Sequence, residues 1–252
     1  MTRPVVHGKG LWDKLVRREQ GLQARPAPRL KTFTQRHPWL GPVVWMAAAS
    51  YFVVQLGVAQ AWNNPGYSWL NNSISDLGTT VCTHAICSPR HAWMNTEFFV
   101  LGLIMATGAV LIYQEFTDGE PEQRLRARIG FAAFVICGVG AMVVGAFPEN
   151  LSRTMHIIGA IPGIAAGTVG IFILARALTL PEGLRVPMLA VPPVAIGAGI
   201  LFAVHINLGI GAGTMERIAA YPASVWLIAF GAYIARTHSS RPRSAPADHR
   251  RR

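Results

Sequence analysis

The stretch IGFAAFVICGVGAMVVGAF, residues 129–147, decides the fold class, because it carries no charged side chain anywhere along its length. A helix needs about 20 apolar residues to cross the roughly 30 Å of hydrocarbon in a bilayer. Five further stretches resemble it in length and composition, and together they predict six membrane spans, at 39–62, 93–113, 129–147, 155–175, 188–206 and 218–235.

These spans are expected to be helices. A bilayer offers no partner to unpaired backbone polar groups, so a spanning segment must satisfy them internally. The apolar runs are continuous and lack the period-two alternation of a membrane β-barrel. The prediction is therefore an all-α, polytopic membrane protein, a bundle of six transmembrane helices.

The composition agrees with this class. Only 14% of the 252 residues are charged and 51% are hydrophobic, whereas a soluble domain carries about 25% charged residues. The mean hydropathy is +0.33. An integral membrane protein is expected.

The basic residues predict the orientation. Twenty Lys and Arg lie in the tails and in the loops that share their side, and three, Arg90, Arg153 and Arg217, lie in the opposite loops. Because cytoplasmic segments are enriched in Lys and Arg, both termini are expected in the cytoplasm, with the protein in the cell (plasma) membrane. The net charge of +11 then reflects topology and attraction to anionic headgroups at the cytoplasmic face, and requires no nucleic acid.

Two basic tails flank the predicted transmembrane domain at 39–236. In the first, 1–38, the segment GKGLWDKLVRREQGLQ (8–23) sets apolar residues near one helical face among basic ones. This pattern is typical of a short helix on the inner leaflet, with a disordered tail as the alternative. The second tail, 237–252, is rich in Pro, Ser and Arg and is expected to be disordered.

The first outer loop, 63–92, is long and contains two of the three cysteines, Cys82 and Cys87. A disulfide between them is expected on an oxidising outer face. The alternative is a zinc site made by this pair with His84 or His91. Cys137 lies within a span and is expected to be a small buried hydrophobe.

Small residues predict close helix packing. In the fourth span, Gly159, Gly163 and Gly167 recur at four-residue steps, a stripe that lets another helix approach closely. Four further glycines extend the pattern in neighbouring spans: Gly138, Gly145, Gly197 and Gly199.

Two segments of the sequence are weakly similar to each other. TMHIIGAIP (154–162) and TMERIAAYP (214–222) share five residues at matching offsets, each at the outer start of a span. Each segment presents one ionisable residue at the same offset, His156 in the first and Glu216 in the second.

Polar residues gather near the predicted outer boundary, while the middles of the spans hold almost no ionisable groups. Asp76, His156 and Glu216 are candidates for acid/base catalysis or for a His/carboxylate metal site, with zinc as the metal. Candidates for ligand binding or a polar cluster are Asn72, Ser75, Asn95 and Arg217.

Structural roles compete with these. Ser75 or Asp76 can cap a helix start, accepting hydrogen bonds from backbone N–H groups. Glu216 and Arg217 are adjacent and point about 100° apart on a helix, so each needs another partner. An ion pair of Arg217 with Asp76 or Glu149 is expected.

Four segments carry a family resemblance: NNSISDLG (71–78), MN (94–95), GAFPEN (145–150) followed by His156, and ERIAAYP (216–222). In combination and order, these segments resemble bacterial and archaeal membrane proteins grouped as domain-of-unknown-function family 998, over roughly residues 40–236. The resemblance implies six membrane helices and polar motif residues gathered on one side, here Asn72, Ser75, Asp76, Asn95, His156, Glu216 and Arg217. It implies no activity.

Three functions remain open from the sequence. The first is binding of a lipid or other amphiphile in an outer polar pocket, in envelope metabolism. The second is hydrolysis or transfer on a lipid-linked substrate. The third is transport, or a structural role in a membrane complex whose protein partners the sequence does not identify.

Overall fold

A computed structural model describes residues 10–22 and 29–240, and the regular elements within these residues are all helical. In this part of the chain, six helices are long and apolar enough to cross a membrane. They are Leu40–Ala59, His91–Phe116, Pro121–Ala146, Arg153–Ala177, Glu182–Ala203 and Ala212–Ser239. The predicted all-α architecture with six spans is confirmed.

The first spanning segment is divided by a short turn. Helix α3 (Leu40–Met46) passes through a 3₁₀ turn at Ala47–Ala49 into α4 (Ser50–Ala59). The later spans are α5 (His91–Tyr113), α6 (Pro121–Ala146), α7 (Arg153–Ala177), α8 (Glu182–Ala203) and α9 (Ala212–Ser239). A 3₁₀ turn at Gln114–Phe116 extends α5.

Most helices are longer than the spans predicted from hydropathy. Helix α6 begins at Pro121, eight residues before the predicted start, and its first turns include Arg124 and Arg128. Proline suits a first helical position because its missing N–H would be unpaired there in any case. Hydropathy identifies only the part of a helix that matches hydrocarbon, and the helix itself continues beyond it.

Two short helices precede the bundle, α1 (Leu11–Leu22) and α2 (Arg29–Arg36). Helix α1 is joined to α6, since Glu19 pairs with Arg128 and the Glu19 carbonyl accepts a hydrogen bond of 2.7 Å from Arg124. Its predicted contact with the inner leaflet stays a prediction. Residues 1–9, 23–28 and 241–252 of the two predicted tails lie outside the described residues.

Glycines bring α5, α6 and α7 into backbone contact. A Cβ on Gly140 of α6 would lie 2.5 Å from the carbonyl oxygen of Gly159 on α7, and a Cβ on Gly138 would lie 2.4 Å from that of Gly102 on α5. The stripe predicted on the fourth span therefore lies at a helix crossing. Gly197 of α8 does not, because a Cβ there would meet nothing within 4 Å.

The two ends of the bundle differ. One end, the terminal face, carries α2, the turn at 114–120 and the end of α9, joined by contacts such as Lys31–Asp118 and His238–Glu115. The opposite end, the loop face, carries the connections at 60–90, 147–152 and 204–211. The longest of these, 60–90, contains the 3₁₀ turn Ser75–Gly78, which places polar side chains over the bundle.

Candidate functional site

The turn Ser75–Gly78 begins with a reciprocal pair of hydrogen bonds. The Asp76 carboxylate accepts from the backbone N–H of Ser73 at 2.8 Å, and the Ser73 hydroxyl accepts from the backbone N–H of Asp76 at 3.0 Å. This is a capping box, which satisfies two backbone donors at once. Asp76 also accepts a bond of 3.2 Å from the amide of Asn72. Asp76 thus occupies the capping position that the sequence offered as an alternative.

Ser75 points the other way, into the bundle. Its Oγ lies 2.9 Å from Nε2 of His156 and 3.3 Å from Oε1 of Glu216. The second carboxylate oxygen of Glu216 accepts a hydrogen bond from the backbone N–H of Ile74. The structure therefore brings Ser75, His156 and Glu216 together, residues that belong to three separate hairpins.

The ring of His156 is oriented by the main chain. Only 5% of His156 is exposed, and its Nδ1 lies 2.9 Å from the carbonyl oxygen of Phe147. A carbonyl oxygen can only accept, so Nδ1 carries a proton. In the neutral ring, Nε2 is then the acceptor and faces the Ser75 hydroxyl.

These three side chains stand at the head of a cavity inside the bundle. Its volume is about 90 Å³, and its deeper wall is apolar, formed by residues such as Leu101, Met105 and Ile164. His156 and Ile164 both line it and are eight residues apart on α7, which corresponds to about 12 Å along the helix. No Lys or Arg is among the described residues that line it.

Arg217 does not form the ion pair that the sequence predicted. Within the described residues its guanidinium donates to three carbonyl oxygens, of Trp69 at 3.0 Å, Asn72 at 3.0 Å and Gly213 at 2.7 Å. It also donates to the hydroxyls of Tyr67 and Tyr221. Glu149 instead approaches Arg153, at 3.9 Å. The guanidinium of arginine has five N–H donors, which suit a place where several carbonyl oxygens converge. Matching opposite charges in the sequence does not anticipate such contacts.

Tyr67 lies between the loop and this guanidinium. Its hydroxyl donates to the carbonyl of Ser73 at 2.8 Å, and its ring also contacts Trp62 edge-on. Burial raises the pKa of the Tyr67 phenol above its ordinary value, although the neighbouring Arg217 opposes the rise. Tyr67 and Arg217 therefore position residues 67–73, immediately before Ser75.

Asn95 and Asn72 serve the same loop. The Asn95 amide donates to the carbonyl of Gly78 at 2.9 Å, fixing the end of the turn to α5. The Asn72 side chain accepts from the backbone N–H of Ser68 at 2.9 Å. Neither residue lines the cavity, so both support the loop.

The candidate metal ligands are not grouped together in the part of the chain that the structure describes. Cys82 and Cys87 form the predicted disulfide, which removes them as zinc ligands, and His84 beside them is exposed. Across residues 10–22 and 29–240, no three His, Cys, Asp or Glu side chains are close enough to hold a metal ion. The Asp76 carboxylate instead accepts from the backbone N–H of Ser73 and from the amide of Asn72.

Two cavity residues were missed from the sequence, Tyr51 of α4 and Ser224 of α9. Both lie inside apolar spans, where a single hydroxyl gives no signal. A second polar pair, in which Ser50 donates to Glu97 at 2.6 Å, lies nearby between α4 and α5. A signal for Asp76 did exist, because Ser73-x-x-Asp76 is the spacing of a capping box.

A family model described as "Protein of unknown function (DUF998)" matches residues 46–233, which is most of the transmembrane domain. No curated protein and no solved structure matches the chain significantly.

Proposed function

Because the chain belongs to the family of proteins of unknown function DUF998, to which no activity is attached, we propose its function from the cavity. The protein binds the single apolar chain of an amphiphile, with the polar group of that ligand at Ser75, His156 and Glu216. The observation that carries this proposal is a cavity within a membrane-spanning bundle that is polar at its loop-face end and apolar below.

The dimensions of the cavity favour one slender chain. Its length of about 12 Å is a little less than half of the roughly 30 Å of hydrocarbon, so it matches the depth of one leaflet. Its volume of about 90 Å³ is well below the 300–1,000 Å³ typical of drug-sized ligands. These limits exclude a sterol or a two-chain lipid, and a single alkyl chain is the slenderest apolar group that an amphiphile offers.

The polar end favours an uncharged ligand group. The polar end contains the Ser75 hydroxyl, the His156 imidazole and the Glu216 carboxyl group, and no Lys or Arg is among the described residues that line the cavity. An anionic phosphate would enter without a Lys or Arg to compensate its charge, which is costly in a buried site. An uncharged group avoids this cost: an ester oxygen can accept from the Ser75 hydroxyl, and an amide or hydroxyl can in addition donate to His156 or Glu216.

The site is proposed to face away from the cytoplasm. Two observations support this orientation: the excess of Lys and Arg on the terminal side, and the Cys82–Cys87 disulfide at the loop face, which suits an oxidising compartment. With this orientation, ligands enter from the outer leaflet of the cell membrane, and both termini are cytoplasmic.

Photocrosslinking of a chain of known chemistry tests the proposal. The full-length protein in phospholipid nanodiscs is irradiated with a ten-carbon monoacylglycerol that carries a diazirine at the end of its chain. We expect crosslinks to the apolar wall, at Met105 or Ile164. Ala160→Leu, which extends a side chain into the cavity from α7, is expected to lower the yield at least tenfold.

The matched control is Ala165→Leu, on the same helix but exposed and outside the cavity lining. This change should leave the yield unaltered. Equal yields in the two variants, or crosslinks confined to outward-facing residues such as Ile161, would show that the chain binds the outer surface of the bundle and would overturn the proposal.

A further inference from the structure

We infer that Ser75 is a nucleophile activated by His156, and that the protein performs acyl transfer on an ester whose chain lies in the cavity. This inference rests on the proposed function, because it assigns a reaction and a substrate class to the same site. The geometry that points to it is the 2.9 Å contact between Ser75 Oγ and His156 Nε2 at the polar end of an apolar cavity.

The hydrogen bonds of His156 leave its Nε2 free to accept a proton. The carbonyl of Phe147 holds the proton on Nδ1 of His156, so Nε2 presents its lone pair to the serine. A base within hydrogen-bond reach of a hydroxyl, itself oriented by a third group, is the arrangement that activates serine nucleophiles. Here a main-chain carbonyl takes the place of the carboxylate that orients the histidine in hydrolase triads.

The Ser75 hydroxyl has a single proton to donate. Two acceptors approach Ser75 Oγ, His156 at 2.9 Å and Glu216 at 3.3 Å. The hydroxyl can donate to either acceptor, and proton transfer to His156 follows the shorter of the two contacts. Glu216 accepts from the N–H of Ile74, the residue before the serine, and is therefore a positioning residue.

Ser75 and His156 are held in a largely buried position. His156 is almost fully buried, Ser75 is half-buried, and both line the cavity. The Ser73–Asp76 box fixes the backbone on either side of Ser75, so the hydroxyl is held in place before a substrate arrives. Such preorganisation lowers the entropic cost of reaching the transition state.

The reaction is balanced without a metal or redox partner. Ser75 Oγ attacks the ester carbonyl carbon while its proton passes to His156 Nε2. The bond from the carbonyl carbon to the alcohol oxygen breaks, and the alcohol leaves with that proton, leaving an acyl-serine. Water, or a second alcohol, then attacks the same carbonyl and gives its proton to Nε2. The proton returns to Ser75 as the acid or the new ester is released.

A long-chain alkyl fluorophosphonate tests the nucleophile directly, because it forms a stable adduct with activated serines. The full-length protein in nanodiscs is treated with the probe, and the adduct is measured by intact mass and located by peptide mapping. We expect one adduct per chain, on Ser75. Ser75→Ala should abolish it, and His156→Gln should slow its formation at least 100-fold.

Two controls match these changes in residue type and face. Ser152 immediately precedes α7 at the loop face and caps no backbone group with its side chain, so Ser152→Ala should label like the parent protein. His84 is exposed in the disulfide loop, and His84→Gln should also label normally.

The outcomes separate this inference from the proposed function. No adduct on Ser75 in the parent protein, or equal labelling rates in His156→Gln and His84→Gln, overturns the inference. Mapping the adduct in the parent requires no variant, so misfolding of Ser75→Ala would leave that test intact. Failure of the diazirine crosslinking overturns chain binding, and it is measured separately from the adduct.

Discussion

The crossing of α6 and α7 offers the sharpest test of the helix packing, because it forms one wall of the cavity. Gly140 and Gly159 meet there backbone to backbone, and both line the cavity. In Gly140→Ala, the added Cβ would lie 2.5 Å from the carbonyl oxygen of Gly159 and 2.8 Å from Cα of Gly163. Both neighbours are main-chain atoms, so a side-chain rotation cannot relieve the overlap.

Two opposing terms set the magnitude. Overpacking costs about 1–3 kcal/mol, and contacts this short with main-chain atoms put Gly140→Ala in the upper part of that range, at about 2–3 kcal/mol. Alanine, however, is a better helix former than glycine by about 1 kcal/mol. We expect a net loss of about 1–2 kcal/mol in the free energy of unfolding. For a chain of this size that corresponds to a fall in Tm of about 2–8 °C.

Gly197→Ala is the matched control. It makes the same chemical change within a membrane helix, but its Cβ would meet nothing within 4 Å, so the gain in helix propensity stands alone. We expect Tm to rise by about 1–4 °C. Thermal unfolding in one detergent, followed by intrinsic tryptophan fluorescence, measures both. A fall of equal size in the two variants, or a rise in Gly140→Ala, would refute the packing argument.

Two further predictions concern the loop that carries Ser75. Arg217→Lys leaves one ammonium group where the guanidinium donates to three carbonyls and two hydroxyls. Amide hydrogen exchange at residues 67–77 should therefore accelerate at least tenfold. Arg153→Lys, whose side chain is 67% exposed, should leave the exchange rates unchanged. Equal exchange in the two variants would contradict the loop-holding role. Burial raises the pKa of Tyr67 in the folded protein, so the unfolded state loses this proton first as the pH increases. The free energy of unfolding should therefore fall above about pH 10. Chemical denaturation at fixed pH values should show a less steep fall in Tyr67→Phe than in the parent. A fall of the same slope in both proteins would show that Tyr67 is not the group responsible.

The membrane helices were predictable because their signal is local. Each apolar stretch prefers hydrocarbon independently of the rest of the chain, because the transfer free energies of about 20 residues add up to a strong preference. The stripe of Gly159 and Gly163 was readable for a similar reason, since a four-residue step repeats on one helix face. The helix ends were less accurate, as α6 shows, because charged residues leave the hydrocarbon without ending the helix.

The site was predicted only in part. His156 and Glu216 stood out as ionisable groups at the same offset of two similar segments, and both reach the same serine oxygen. The choice between Ser75 and Asp76 could not be made locally: the sequence favoured the carboxylate as the reactive group, whereas in the structure that carboxylate caps the turn. Adjacent residues on a 3₁₀ turn point in different directions, and which of them faces the bundle depends on how the loop is docked.

The sequence by itself therefore determined the class of the protein, its six helices and the small-residue faces, because these follow from interactions within about 20 consecutive residues. Only the tertiary structure decided that Ser75 meets partners 81 and 141 positions away, and that Arg217 binds carbonyls. Those contacts depend on which helices become neighbours and how each is rotated about its axis. Packing across the whole bundle sets both, and no single segment encodes them.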